Sequence, residues 1–148
     1  MDIEIYKFEL EDLDSIKDFL ILDFDDFWNY NVLKDELVNE NSRYIVAKNV
    51  QSNNEIVGFA GIKIFLDDAD IMNIVVKKNY RNNGVGTLLL ENLILLCNEL
   101  NLQSLSLEVN EENLPAINLY KKFGFKDIGT RKNYYKDKNG IIMKKVLI

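Results

Sequence analysis

The run SLSLEV carries Ser104, Ser106 and Glu108 at two-residue spacing, with Leu105, Leu107 and Val109 filling the alternate positions. In an extended strand the polar three point to one face and the apolar three to the other. A carboxylate with two hydroxyls on a central strand fits a face that borders water or ligand; the plainer alternative is a solvent-exposed strand face. The 148 residues include no histidine. Ser-His-Asp and Cys-His nucleophilic pairs and His-ligated metal sites are therefore excluded. Proton transfer falls to carboxylates, tyrosines, lysines or the backbone. The one cysteine, Cys97, rules out an internal disulfide and lies on the apolar side of a helical pattern, so it reads as core and not as a nucleophile.

A second constellation is the turn Arg81-Asn82-Asn83-Gly84-Val85-Gly86-Thr87, which joins an apolar β-branched run to a leucine-rich helical one. The first N–H groups of a helix lack internal partners and carry partial positive charge. Glycines let an anion approach them closely, so the segment can cradle a phosphate. Lys77, Lys78 and Arg81 add local positive charge. The competing reading is a turn that only reverses the chain. A Walker-type loop is out, because no Lys-Ser/Thr follows the second glycine. A dinucleotide fingerprint wants a third glycine where Leu89 stands.

A third feature, DFDDFWNYN, mixes Asp23, Asp25 and Asp26 with Phe24, Phe27, Trp28 and Tyr30, and near the C-terminus Tyr134 and Tyr135 are adjacent. Either these line an acidic aromatic groove, or Phe24 and Trp28 plug the core.

The elements that must position these groups follow from periodicity. Alternation at Ile3 and Ile5 predicts a strand. Leu13, Ile16, Phe19 and Leu20 predict a helix capped by Glu11 or Asp12, and 32–39 a second short helix after a loop at 23–31. Strands follow at 43–48, 56–66 and 71–76, the last two separated by the turn DDAD. The run IMNIVV is so apolar that burial on both faces is expected. In the next helix Val85, Leu89, Leu93, Leu96 and Leu100 form a stripe that Leu88, Leu90, Ile94 and Cys97 widen, which predicts burial over most of its circumference. A strand at 102–109 leads to a helix with Asn113 as N-cap, Pro115 in its first turn and Gly124 in the left-handed position after it. Two last strands join at KNG. The order βααβββαβαββ predicts one domain over 1–148, an α/β (α+β) mixed sheet with helices against it. Hydrophobic residues make up 47%, charged residues 28%, and the net charge is −6. Nucleic-acid binding is not expected of that charge, nor membrane insertion of a chain without a long apolar run. The lone cysteine and the lack of a signal-like start fit a cytoplasmic protein.

The run NIVVKKNYRNNGVGTLLL resembles the acetyl-CoA signature Arg/Gln-x-x-Gly-x-Gly/Ala of the GNAT N-acetyltransferases. LEVNEENLPAINLYKKFGF resembles that family's second signature, an Asn-containing turn before a helix carrying Tyr and then Gly-Phe. Both stand in the family's order and at its spacing. The resemblance covers the chain from Arg43 on, and the first 42 residues more loosely. Within the family the chain is most similar to the RimI-type ribosomal-protein N-terminal alanine acetyltransferases, a likeness that TRKNYY and GIIMKK strengthen.

The resemblance implies a central mixed sheet with splayed strands, flanked by about four helices, and acetyl-CoA as co-substrate with no metal. It implies that the pantetheine arm pairs with backbone groups of Ile74 and Val76, and that a backbone N–H near Val75 or Val76 polarises the thioester carbonyl. The diphosphate would sit on N–H groups from Asn82, Asn83, Gly84, Val85, Gly86 and Thr87, with Arg81 beside them. Glu108 is implied as general base, its proton affinity raised by burial, and Tyr120 as the acid that protonates the leaving thiolate. Asn113 would contact the cofactor, and Phe27, Trp28, Tyr30, Tyr134 and Tyr135 would border the acceptor. RimI-type enzymes often carry Pro before the Trp, where this chain has Phe27. A protein or peptide N-terminus, a ribosomal protein among the candidates, is the expected acceptor of a monomer or weak homodimer. A small-molecule amine as acceptor, and a non-catalytic acetyl-CoA-binding module, are the alternatives.

Overall fold

The computed structural model describes residues 1–24 and 29–147. Its elements are β1 (Ile3–Lys7), α1 (Leu10–Ile16), α2 (Tyr30–Val38), β2 (Ser42–Asn49), β3 (Glu55–Phe65), β4 (Asp68–Val76), α3 (Val85–Glu99), β5 (Ser104–Asn110), α4 (Leu114–Lys122), β6 (Lys126–Tyr135) and β7 (Lys138–Val146), in the order read from the sequence. The strands form one sheet ordered β1-β2-β3-β4-β5-β7-β6. Every neighbouring pair is antiparallel except β4 with β5.

Strand alternation sends apolar side chains to both faces of this sheet, and each face carries its own helices. On one face Ala47, Val57, Ala60, Ile62 and Leu105 pack with Val85, Leu89, Leu90, Leu93 and Cys97 of α3, and α4 lays Ile117 and Tyr120 against the same cluster. On the other face Tyr44, Val46, Phe59 and Val75 pack with Leu13 and Ile16 of α1, Leu33 of α2, and Phe24. The buried leucines of α3 contribute about 1.5–3 kcal/mol each by leaving water. They hold that helix, and hence its first turn, against the sheet.

Several sequence expectations shift here. Burial of α3 covers one face only: Leu95 is 57% exposed and Leu96 and Leu100 lie outside the fully buried set, because the sheet contacts a single side of the helix. β4 is not buried on both faces; Ile71, Met72, Ile74 and Val76 are half-buried. α1 is capped by Glu9, whose N–H donates to Asp12 Oδ2 at 2.9 Å, so Asp12 sits inside the first turn. The turn before β4 is two residues, Leu66 and Asp67, with Leu66 at φ 57°, and DAD is already strand. The last hairpin turns at Lys136 and Asp137, not at KNG. Lys136 takes φ 58°, Tyr135 partners Lys138, and Asn139 is tied by its N–H to Glu111 Oε2 at 2.6 Å.

One packing feature crosses three strands. Gly61 of β3 partners Tyr44 of β2 and Asn73 of β4, and the Tyr44 ring lies over Gly61. A methyl at position 61 would overlap that ring. Gly61→Ala is therefore expected to cost about 1–3 kcal/mol of stability in urea denaturation; an unchanged midpoint would mean the ring is not seated there.

Candidate active site

The sheet opens between its two central strands. β4 and β5 pair only at Asp68 with Ser104, Ala69 with Leu105, and Asp70 with Ser106. Directly after this seam β4 carries an extra residue. Ile71 partners Ile62 and Asn73 partners Gly61, which leaves Met72 unmatched. A bulge bends its strand and steepens the local twist. Beyond it the strands part around a cleft of about 680 Å³, walled by Asp70, Asn73, Glu108, Arg131, Tyr134 and Tyr135 among others.

The free edge of β4 offers backbone groups to this gap. Lys77 N donates to Val57 O at 2.8 Å, so alternation turns Val75 and Asn73 toward β3, and Ile74 and Val76 toward the opening. Of the two residues proposed to polarise a carbonyl, only Val76 points its N–H that way. The Val76 carbonyl accepts from Arg81 Nε at 3.1 Å.

Where β4 ends, α3 begins with an uncapped N-terminus. Asn29 and Asn113 cap α2 and α4 by accepting from Val32 N at 2.9 Å and Ala116 N at 3.3 Å. α3 instead starts at Gly84, in the left-handed region at φ 81°, with no side chain among the described residues bonded to the first turn. The N–H groups of Val85, Gly86 and Thr87 precede the first intrahelical bond, Leu88 N to Gly84 O at 3.0 Å. They remain available to an anion, with the helix dipole behind them. A Cβ on Gly86 would meet only Val76 Cγ2 at 3.7 Å. Arg81 is otherwise engaged: besides Val76 O it donates to Phe24 O at 2.9 Å, which ties the segment after α1 to the end of β4. Asn83 Nδ2 donates to Tyr80 O and Arg81 O, bracing the turn. Asn82 takes φ 64°.

Glu108 stands on the β5 wall with its side chain 21% exposed. Its Oε1 accepts from Arg131 Nη2 at 2.9 Å, while Oε2 is buried with no hydrogen-bond partner among the described residues. The ion pair with Arg131 was not part of the sequence expectation for this residue. Gly140 makes room for the carboxylate, since a methyl there would lie 3.0 Å from Oε2. Arg131 also lies over the Tyr134 ring at 4.9 Å, and Tyr134 stacks edge-on against Tyr135 at 4.9 Å. Both tyrosines belong to β6 and line the cleft. A register shift between Arg131 and Tyr135 brings this group over β7 toward Glu108.

Tyr120 packs edge-on against Phe125 at 5.8 Å and is not among the residues of the cleft wall. Burial, and then nearby Tyr135, hold its hydroxyl above the ordinary tyrosine value of 10.0. Burial, then Tyr134 and Glu108, act in the same sense on Tyr135, which connects the two sites. Tyr30 lies elsewhere, donating to Asp14 Oδ1 at 2.7 Å under Lys17, and Phe24 is core, packed on Phe59. Phe27 and Trp28 lie outside the described residues. Buried Cys97 has its thiol pushed up to about 11 by burial and stays inert.

Sequence reasoning missed Asp70, Asn73, Arg131 and Gly140. Only Asn73 carried a signal, as the one polar residue in IMNIVV. Asp70 is held above the usual carboxylate range by burial and then by Asp68.

The model of the acetyltransferase (GNAT) family matches residues 4–125. The chain belongs to the GNAT family. Its members use acetyl-CoA, and this chain is an acetyl-CoA-dependent N-acetyltransferase. It is 37% identical over 134 residues to a Bacillus subtilis (strain 168) protein provisionally assigned as a ribosomal protein bS18-alanine N-acetyltransferase, covering 90% of this chain and 87% of the relative. It is 41% identical over 113 residues to the ribosomal protein bS18-alanine N-acetyltransferase of Haemophilus influenzae, covering 76% and 74%. The crystal structure of the ribosomal-protein-S18-alanine N-acetyltransferase from Escherichia coli superposes with a TM-score of 0.87 at 28% identity, over 99% of this chain and 94% of that one. Among the described residues no helix is long and apolar enough to cross a membrane.

Only the left-handed conformation at residue 84 demands glycine, because nothing lies within 4 Å of a Cβ there. Gly84→Ala is expected to lose about 1–2 kcal/mol in thermal or chemical denaturation, and no loss would mean that the turn adopts another conformation.

Proposed function

We propose that this GNAT enzyme acetylates the N-terminal α-amine of a protein, with a ribosomal protein of the kind its relatives are named for as the acceptor. The observation that carries this reading is the buried Oε2 of Glu108, without a hydrogen-bond partner among the described residues, in the wall of the parted strands, on the same cleft as the free edge of β4.

The amine that attacks must first lose a proton, and with no histidine in the chain a carboxylate is the available base. Oε2 takes that proton while Arg131 on Oε1 fixes the carboxylate's orientation. Acetyl-CoA supplies the acetyl group as a thioester. The N–H groups of Val85, Gly86 and Thr87 hold its diphosphate, Asn82 and Asn83 shape the turn, and Ile74 and Val76 hold the arm, with the Val76 N–H polarising the carbonyl. Asn113, whose Oδ1 caps α4, keeps its Nδ2 for the coenzyme. Tyr120, kept protonated by burial, returns a proton to the departing sulfur. Tyr134 and Tyr135 border the acceptor.

Proton affinity favours an α-amine over lysine. Their pKa values, roughly 7.7–8.0 and 10.4, differ by about 2.5 units, near 3.5 kcal/mol of extra deprotonation cost for lysine at neutral pH. A single carboxylate is better matched to the smaller demand.

Glu108→Gln and Tyr120→Phe should each lower kcat about 100-fold while calorimetry shows acetyl-CoA affinity retained; unchanged turnover in both would remove these roles. Because Tyr120 is held above the ordinary tyrosine value, the acid stays protonated through mildly alkaline pH, and kcat should not fall before about pH 10. Mass spectrometry of protein N-termini, from cells with and without this enzyme, should find one set acetylated only in its presence. Turnover on small amines with none on any peptide would contradict the acceptor assignment.

A further inference from the structure

One buried polar cluster on the cleft wall takes no part in the chemistry above. Asn73 is 9% exposed and lines the cleft from β4, and neither Nδ2 nor Oδ1 of its amide has a hydrogen-bond partner among the described residues. The Tyr44 hydroxyl is also buried and unpartnered by that measure. It lies beside the Asn73 amide, brought there across Gly61 by the three-strand row already described. Burial pushes the phenol's pKa up, so it is a neutral hydroxyl at any working pH.

Buried amides are almost always paired, and an orphan costs its full desolvation. The Tyr44 hydroxyl can donate to Oδ1 or accept from one of the two N–H groups of Nδ2, and in either case at least one amide N–H is left for whatever enters the cleft. The bulge at Met72 turns Asn73 toward the same cleft as Glu108, Asp70 and Ser106. The orphaned atoms therefore comprise acceptors, Glu108 Oε2 and Asn73 Oδ1, and a side-chain amide donor, Asn73 Nδ2. A simple amine or polyamine brings N–H donors only and would leave the amide donor unmet. A peptide N-terminus brings an ammonium donor and, two bonds further on, a carbonyl acceptor.

We infer that Asn73 is a specificity-determining residue that reads the first peptide bond of the acceptor, with Tyr44 as the positioning residue that holds its amide. This rests on the N-terminal reading and adds to it the group by which a peptide is told from a plain amine. Discrimination follows from the unmet donor, not from the shape of the cleft.

The test compares kcat/KM for an alanine-initiated peptide and for its (E)-alkene isostere, which keeps the shape of the first peptide bond without its oxygen. The native enzyme is expected to prefer the peptide by roughly 10- to 100-fold. Asn73→Leu should bring that ratio close to one, mainly by raising KM for the peptide, and should melt no lower than the native enzyme because it deletes an unpaired amide. Tyr44→Phe should narrow the ratio several-fold through KM with kcat preserved, a split that a merely structural role would not produce. If the native enzyme acetylates the peptide and Asn73→Leu keeps the full ratio, the assignment to Asn73 is wrong while the N-terminal reading stands. If the native enzyme acetylates small amines and no peptide, the N-terminal reading falls and this inference with it. Should Asn73→Leu not fold, an unchanged ratio in Tyr44→Phe overturns the inference by itself.

Discussion

The parting of β4 from β5 is the constraint on which the rest of the molecule depends. Each strand is firmly held on its outer side, β4 along β3 and β5 along β7 through Asn110 and Gly140. Between them, hydrogen bonding stops after Asp70 and Ser106. The unpaired backbone that results would be a liability in a closed sheet, because buried N–H and C=O groups without partners are costly. Here it borders an open cleft, where a ligand or water can meet those groups. The bulge at Met72 begins where the pairing ends, so one extra residue both separates the strands and changes which side chains of β4 face the gap.

The other features of the site follow from that opening. Two apolar clusters lie on opposite faces of the sheet, one built on α3 and the other on α1 and α2. α3 is anchored by Leu89, Leu90 and Leu93, each fully buried, and so presents an uncapped first turn at a fixed place beside the end of β4. On the far side, β6 and β7 carry Arg131, Tyr134 and Gly140 to Glu108. In the proposed reading the acid-base groups are drawn from the half containing β5, and the backbone donors from the half containing β4. On that reading the reactants would span a seam that the protein itself leaves unbonded.

Much of this was legible in the residues. The order of elements follows from periodicity alone, because alternation in SLSLEV and RYIVAK and the leucine stripe of α3 are local properties. The place of Glu108 on a face that borders the cleft was legible because a carboxylate alternates there with serines. Gly84 was legible because a glycine just before a helical run allows a positive φ. What could not be read depends on contacts between distant strands. The Arg131–Glu108 pair is set by a register shift in β6, and the need for Gly140 appears only when β7 is laid beside β5. The hairpin turn was misplaced for a related reason: Asn139 and Gly140 look like turn residues, yet one bonds Glu111 and the other clears space for a carboxylate. IMNIVV looked doubly buried because its composition says nothing about the missing neighbour on one edge. Arg81 looked like a free cation, and is bound to two carbonyls instead.

The most direct test of the central claim is the amide signals of Ile74, Val76, Gly86 and Thr87, followed by NMR as acetyl-CoA is added. The account predicts that all four shift and exchange more slowly with solvent on binding, while Asn73 and Val75, whose N–H groups are turned toward β3, change far less. Acetyl-CoA binding that leaves Ile74 and Val76 unaffected would show that the gap between β4 and β5 is not where the thioester lies.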